Sequence, residues 1–216
     1  MLVEASHPHL SGHFILKLYD RRFAPGLRKH AKTSPWDPDI ENAYHNFVIN
    51  DEDLRYDYLD EWNEAQREAY LQHYCRLFDE TETEVYRRLK SVQGVDIPRL
   101  YARVWVPSLS GRMEAAVDEE FLRCPGILIE YIDGFALSDL GDHADRSTWQ
   151  VICDEAIRIV NYIGDYDIRN PDVKPRNCIV RKYEDSQGIT HFKPVMIDFA
   201  RCVLRKKARM ILNGGD

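Results

Sequence analysis

The chain has 216 residues, 44% hydrophobic and 30% charged, a length and balance that suit one large domain or two small lobes with a real core. Its formal net charge of -7 and pI near 5.6 argue against a nucleic-acid or anionic-membrane binder driven by bulk electrostatics. The five cysteines, at 75, 124, 153, 178 and 202, form no CxxC pair and have no histidine at ligand spacing, which predicts reduced thiols in a cytosolic or nuclear protein.

The opening MLVEASHPHL has neither a basic start nor an apolar run, and the longest apolar stretches are far short of the roughly 18 residues that span a bilayer. From Phe14 to Tyr19 the run FILKLY is apolar on both faces except at Lys17, the pattern of a buried strand with one cation in its middle. Residues 20–53 hold Pro25, Gly26, Pro35 and Pro38 and read as a long irregular surface insertion with one short helix near Glu41 to Val48. From about Asp53 to Lys90 there is no glycine or proline, and Leu71, Tyr74, Cys75, Phe78, Val85, Tyr86 and Leu89 recur at helical spacing, which predicts one long helix or two abutting ones. That stripe carries Glu82 on its apolar face, whereas Glu84 falls on another face.

The segment from Gly94 to Pro98 ends the helix, and LYARVWVP and GILIEYI read as strands, giving an antiparallel sheet with one packed helix. Ser147 and Gln150 suit a capping box that opens a helix with the stripe Trp149, Ile152, Cys153, Ala156, Val160 and Ile163. Pro171 and Pro175 then enforce a loop, CIV resumes a strand, a hairpin turns near Asp185 to Gly188, and the apolar run VMI ends on Asp198. The basic cluster RKKAR near the end reads as a solvated tail. His7, His9, His13, His143 and His191 show no ligand spacing.

Lys17 in an apolar strand and Glu82 on an apolar helix face each carry a charge that is costly to bury alone, and pairing solves both problems. Asp172 and Asn177 are five residues apart around a proline-stiffened turn, so a carboxylate and an amide oxygen can converge on one space, and such hard oxygens suit magnesium. Asp198 adds a second carboxylate. Phosphoryl transfer from ATP needs these parts: a cation on the phosphates, oxygen ligands for the metal, and a carboxylate that orients the acceptor hydroxyl. Two rivals stand beside this reading. Thr81 with Glu84 suits a capping box, and Asp167 competes with Asp172 but lacks an asparagine five residues on. Asp172 and Asn177 also suit plain loop stabilisation near proline.

Over residues 13–204 this order of groups resembles the protein kinase superfamily, in particular the divergent protein-kinase-like domains abundant in fungi. FILKLYD resembles the strand with the phosphate-binding lysine, Lys17, and ETEVYRRL the helix with its partner, Glu82. GILIEYIDG is similar to the hinge, which implies Ile129 as gatekeeper and the backbone of Glu130 and Ile132 as the adenine contact. NPDVKPRN stands where the family has HRDxKxxN, which implies Asp172 as catalytic base, Lys174 as a phosphate contact and Asn177 as a metal ligand. IDFA stands for DFG and implies Asp198 as the main magnesium ligand. The resemblance implies an α+β, two-lobe fold: an antiparallel-sheet N-lobe with a long helix over 1–132, with an insertion at 20–53 and a hinge at 127–132, and a partial, mostly helical C-lobe over 133–216.

The departures are specific. No GxGxxG precedes Lys17, Asn170 and Pro171 replace the histidine and arginine of the catalytic motif, Ala200 replaces the glycine of DFG, and no APE follows, so the resemblance is to a core cut short at both ends. Loss of the arginine removes the usual link to a phosphorylated activation loop. The expected activity is transfer of the γ-phosphate of ATP, with Mg2+, to a protein or small-molecule hydroxyl, without nucleic-acid or membrane partners. The alternative is a pseudokinase that serves as a binding module.

Overall fold

The computed structural model describes residues 1–7, 10–50, 62–107 and 119–205. The chain is α+β and divides into two compact units, one of residues 1–83 and 98–131 and the other of residues 84–97 and 132–216. The expected first domain, 1–132, differs from the first unit by the segment 84–97 and by Ile132, which belong to the second unit.

In the first unit, β1 (Leu2–His7) and β2 (Leu10–Leu18) form a hairpin, and β3 (Leu100–Val106) pairs with a fourth strand, β4 (Cys124–Glu130). The sheet is antiparallel throughout, in the order β1-β2-β4-β3. Its registry sets Lys17 opposite Ile127 and Ile15 opposite Ile129. Gly126 is required beside this pairing, because a Cβ there would lie 2.6 Å from the Lys17 carbonyl oxygen.

The stretch after Asp20 holds the helix expected near Glu41 to Val48, but it also holds a second helix and buries side chains that an irregular surface insertion would leave outside. It forms α1 (Pro25–His30) and α2 (Pro38–Ile49), the latter opened by Asp37, whose side chain accepts from the Ile40 amide at 2.8 Å. Both pack on α3 (Glu64–Arg88): Ala31 is buried with Trp62, Tyr70 and Leu71, and Tyr44 and Phe47 with Ala69. Buried charges fasten the join. Glu68, fully buried, accepts from Arg21 and, at 2.7 Å, from Arg28, while Glu41 takes a second Arg21 nitrogen at 2.7 Å. Breaking one partner of such a network leaves an uncompensated buried charge, which costs about 3–5 kcal/mol. A short helix, α4 (Glu119–Leu122), precedes β4, and the Phe121 carbonyl accepts from the Tyr44 hydroxyl at 2.6 Å.

The long helix expected from about 53 to 90 is α3; residues 51–61 lie outside the described residues. Its start is a capping box that sequence reading missed: Asn63 Oδ1 accepts from the Gln66 amide at 2.9 Å and Gln66 Oε1 from the Asn63 amide at 3.0 Å.

The second unit has β5 (Gly134–Ala136), α5 (Leu140–His143) and α6 (Trp149–Asp165), then β6 (Ile168–Arg169), β7 (Cys178–Glu184), β8 (Thr190–Met196) and β9 (Val203–Leu204). These strands make an antiparallel sheet, β5-β7-β8, and a small β6-β9 ladder. Helix α6 buries Ile152, Ala156, Ile159 and Ile163, so Ile159 fills the central place that the stripe had given to the half-buried Val160. The Ser147–Gln150 capping box is not formed: a 3-10 turn over Arg146–Thr148 leads into α6 without a side-chain cap.

The expected hairpin turn is built by Asp185, whose Oδ1 accepts from the Gln187 and Ile189 amides at 2.8 and 3.0 Å, with Gly188 in the left-handed region at φ 76°. Strand β8 is fixed further by Asp96. Its carbonyl accepts from the Met196 amide at 2.9 Å, and its carboxylate pairs with Arg158 at 2.8 Å and Lys193 at 3.1 Å. None of the five cysteines is in a disulfide, and burial pushes the thiols of Cys75 and Cys124 up to about 12 and that of Cys178 to about 11. Such thiols are inert. No helix among the described residues is long and apolar enough to cross a membrane. Of the cluster RKKAR, only Arg205 lies within the described residues.

Candidate functional site

In the first unit, Lys17 projects from β2 and Glu82 from α3, and they meet: Nζ lies 2.6 Å from Oε2. Glu82 is fully buried, while the Lys17 side chain keeps 27% of its surface exposed. Glu84, the rival, turns away and binds Arg87 and Arg88 of its own helix. The face argument made from the helical stripe therefore picks the residue that reaches the strand. Tyr19 also donates to Glu82 Oε2. Sequence reading missed Tyr19, although it sits two residues after Lys17, and a strand places residues i and i+2 on one face.

Ile129, in β4, is buried at 6% exposure. The Glu130 amide donates to the Arg99 carbonyl at 2.9 Å, so an adenine contact by Glu130 cannot use its N–H. Ile132 belongs to the second unit and is 8% exposed.

In the second unit, the loop from Asn170 to Asn177 gathers three of the expected groups. Asn177 Nδ2 donates to the Asp172 carbonyl at 3.0 Å and reaches its Oδ2 at 3.4 Å. Lys174 Nζ pairs with Asp172 Oδ1; Lys174 thus serves the carboxylate here. Asn170, missed by sequence reading, anchors the start of the loop: its Oδ1 accepts from the Asp172 amide at 2.9 Å. Pro175 opens a 3-10 turn that ends on Asn177, which explains how five residues bring the two side chains back together.

The Asn177 carbonyl in turn accepts from the Ile197 amide at 2.9 Å, one residue before Asp198. Asp198 has φ 66°, a left-handed conformation uncommon outside glycine but tolerated by aspartate. Such conformations concentrate at functional sites. Asp167, the other rival, also has a positive φ, 59°, but its carboxylate faces Arg205 at 4.0 Å and its carbonyl accepts from the Arg205 amide. It plays no part in the Asp172 turn.

The Lys174 hydrogen bond, aided by Asn177, holds the Asp172 carboxyl below the usual carboxylate range, so it is ionised at neutral pH. Among the described residues, no three or more His, Cys, Asp and Glu side chains gather into a metal cage. Of the two residues expected to hold a cation, Asp198 and Asn177, the latter has its side-chain nitrogen committed to Asp172, which leaves its oxygen as the atom able to ligate. A carboxylate and an amide oxygen are hard ligands of the kind magnesium takes together with phosphate oxygens and water.

No family model matches the chain, and no curated protein matches it. Among solved structures, the chain is similar to the Rio2 kinase-ADP/Mg2+-phosphoaspartate complex from Chaetomium thermophilum, at 15% identity and a TM-score of 0.46, over 71% of this chain and 38% of that one. It is also similar to the bifunctional kinase-methyltransferase WbdD, at 17% identity and a TM-score of 0.38, over 68% of this chain and 26% of that one. The chain thus spans 38% or less of the length of these structures.

Proposed function

We propose that the chain is a protein-kinase-like phosphotransferase that moves the γ-phosphate of ATP, with magnesium, to a hydroxyl acceptor. The observation that carries the reading is the Lys17–Glu82 pair, a cation held at 2.6 Å by a fully buried carboxylate yet itself partly open. The exposed side of the ammonium leaves it open to an anion, and a lysine oriented this way can grip phosphate oxygens. Asp198 and Asn177 would hold the magnesium, whose charge neutralises phosphate oxygens when it is bound.

Asp172 orients the acceptor hydroxyl and accepts its proton late, because a carboxylate held below its ordinary range is a weak base. Lys174 keeps Asp172 ionised and stands ready as a cation beside transferred phosphate. Ile129 lines the adenine side, with the Glu130 carbonyl and the Ile132 backbone as the edge contacts.

Thermal stability with and without Mg-ATP tests the reading. Ligand at 100 times its dissociation constant adds about 2.7 kcal/mol, a shift that Lys17→Ala and Asp198→Ala should abolish. Asp172→Ala should bind Mg-ATP and fail to turn over. Absence of any shift in the wild type rejects the proposal; a shift with no turnover on any hydroxyl acceptor favours the binding-module alternative.

A further inference from the structure

Lys17, on β2, and Tyr19, one residue past the end of that strand, converge on the same atom, Oε2 of Glu82. The two donors differ. Tyr19 is neutral and 6% exposed, while Lys17 is a cation on a flexible stem with 27% of its side chain open. Glu82 Oε1 has no hydrogen-bond partner among the described residues, so the donors on this carboxylate crowd onto one oxygen. If Lys17 were the sole donor, any shift of the ammonium toward an anion would strand a charge in the core, which buried carboxylates resist strongly.

We propose that Tyr19 is a positioning residue for Lys17: its hydroxyl keeps Glu82 partnered, so the ammonium can turn to a phosphate without leaving the carboxylate bare. The proposal rests on Lys17 being the phosphate-holding group of the function proposed above. Tyr19 works through Glu82 and touches no substrate. Its removal makes Glu82 depend on the ammonium alone, which holds Lys17 more firmly in place.

The test compares the whole chain with Tyr19→Phe, Glu82→Gln and the double variant, without nucleotide. Each is treated with an amine-acylating ester, and Lys17 modification is followed by peptide mass spectrometry. Tyr19→Phe should slow Lys17 acylation at least about threefold, as expected for a more tightly held ammonium, and should have no such effect in the Glu82→Gln background. An unchanged or faster rate in Tyr19→Phe means the ring only packs, and the proposal fails. Lys17→Met is a second arm: it should melt cooperatively, because Tyr19 still holds Glu82, and failure to fold overturns the proposal even if Tyr19→Phe is too unstable to label. A parallel titration with Mg-ATP separates the two claims. Should the wild type not bind it, the phosphotransferase reading falls, while the acylation rates still decide whether Tyr19 controls the ammonium.

Discussion

Asn177 grips Asp172 at two points, the carbonyl oxygen at 3.0 Å and Oδ2 at 3.4 Å, and through its own carbonyl it takes the Ile197 amide next to Asp198. One residue, by its side chain on one side and its backbone carbonyl on the other, thus joins the loop to the segment after β8 that leads to Asp198. Because Asn177 is 7% exposed, Asn177→Ala leaves a carbonyl poorly satisfied and is expected to cost about 1–3 kcal/mol of stability. Magnesium-dependent binding of ATP should weaken as well. Asn177→Asp keeps an oxygen ligand but sets two carboxylates together, so its deficit at pH 7 should shrink as the pH is lowered and one of them takes a proton. Urea unfolding at two pH values measures both effects.

Glu82 and Glu84 are two residues apart on one helix and have opposite surroundings. Glu82→Ala removes the partner of a buried ion pair, and a loss of about 3–5 kcal/mol is expected, moderated because Lys17 is partly open to water. Glu84→Ala breaks only half-exposed pairs with Arg87 and Arg88 and should cost less than about 1 kcal/mol. Equal losses in denaturant unfolding would contradict the pairing of Lys17 with Glu82.

Glu41 gives the first unit an acid-sensitive joint. Burial pushes its carboxyl up, but hydrogen bonds from His45, Trp36 and Arg21, with the Arg21 charge, more than offset this and hold it at about 2. A folded-state value below the unfolded one, near 4.3, means that the stabilisation is complete above the unfolded value and disappears as pH falls through about 2. Wild type should therefore lose melting temperature steadily between about pH 5 and pH 2. Glu41→Gln should start lower at pH 7 and fall less over that range. Parallel melting curves mean that Glu41 is not a source of the acid limb.

Apolar and β-branched runs made β2, β3 and β4 legible and a period-3.6 stripe made α3 so, because burial leaves a direct mark on sequence. They also found the Lys17–Glu82 pair, since a charge set among apolar residues has to be compensated. The packing of residues 20–50 was hidden for the opposite reason: Arg21, Arg28, Glu41 and Glu68 read as surface residues, and their burial depends on partners 20 to 47 positions away. Short elements such as β1 and α5 carry too few turns of pattern to register. The Asp172–Asn177 turn was readable from its prolines. The roles of Tyr19 and Asn170 were not, because hydroxyls and amides acquire meaning only from a partner in space.

Asp79 is the case in which an ion pair works against its own burial. Its side chain is fully buried one turn before Glu82, paired with Arg103, with Oδ1 lacking a hydrogen-bond partner among the described residues. Burial raises its carboxyl above the usual range, and the Arg103 hydrogen bond and charge pull it only part of the way back. With the folded value above the unfolded one, the folded chain holds a proton that the unfolded chain has released, so stability falls as pH rises between the two values, and the deficit persists at neutral pH. Asp79→Asn removes the desolvated charge and keeps an oxygen for Arg103, whose side chain is 37% exposed and retains contact with water. The variant should match or exceed the wild type in stability at pH 7, with the difference closing as pH drops below the ordinary aspartate range, about 3.9. A loss above about 1 kcal/mol at pH 7 would mean that the attraction to Arg103 outweighs the cost of burying the carboxylate.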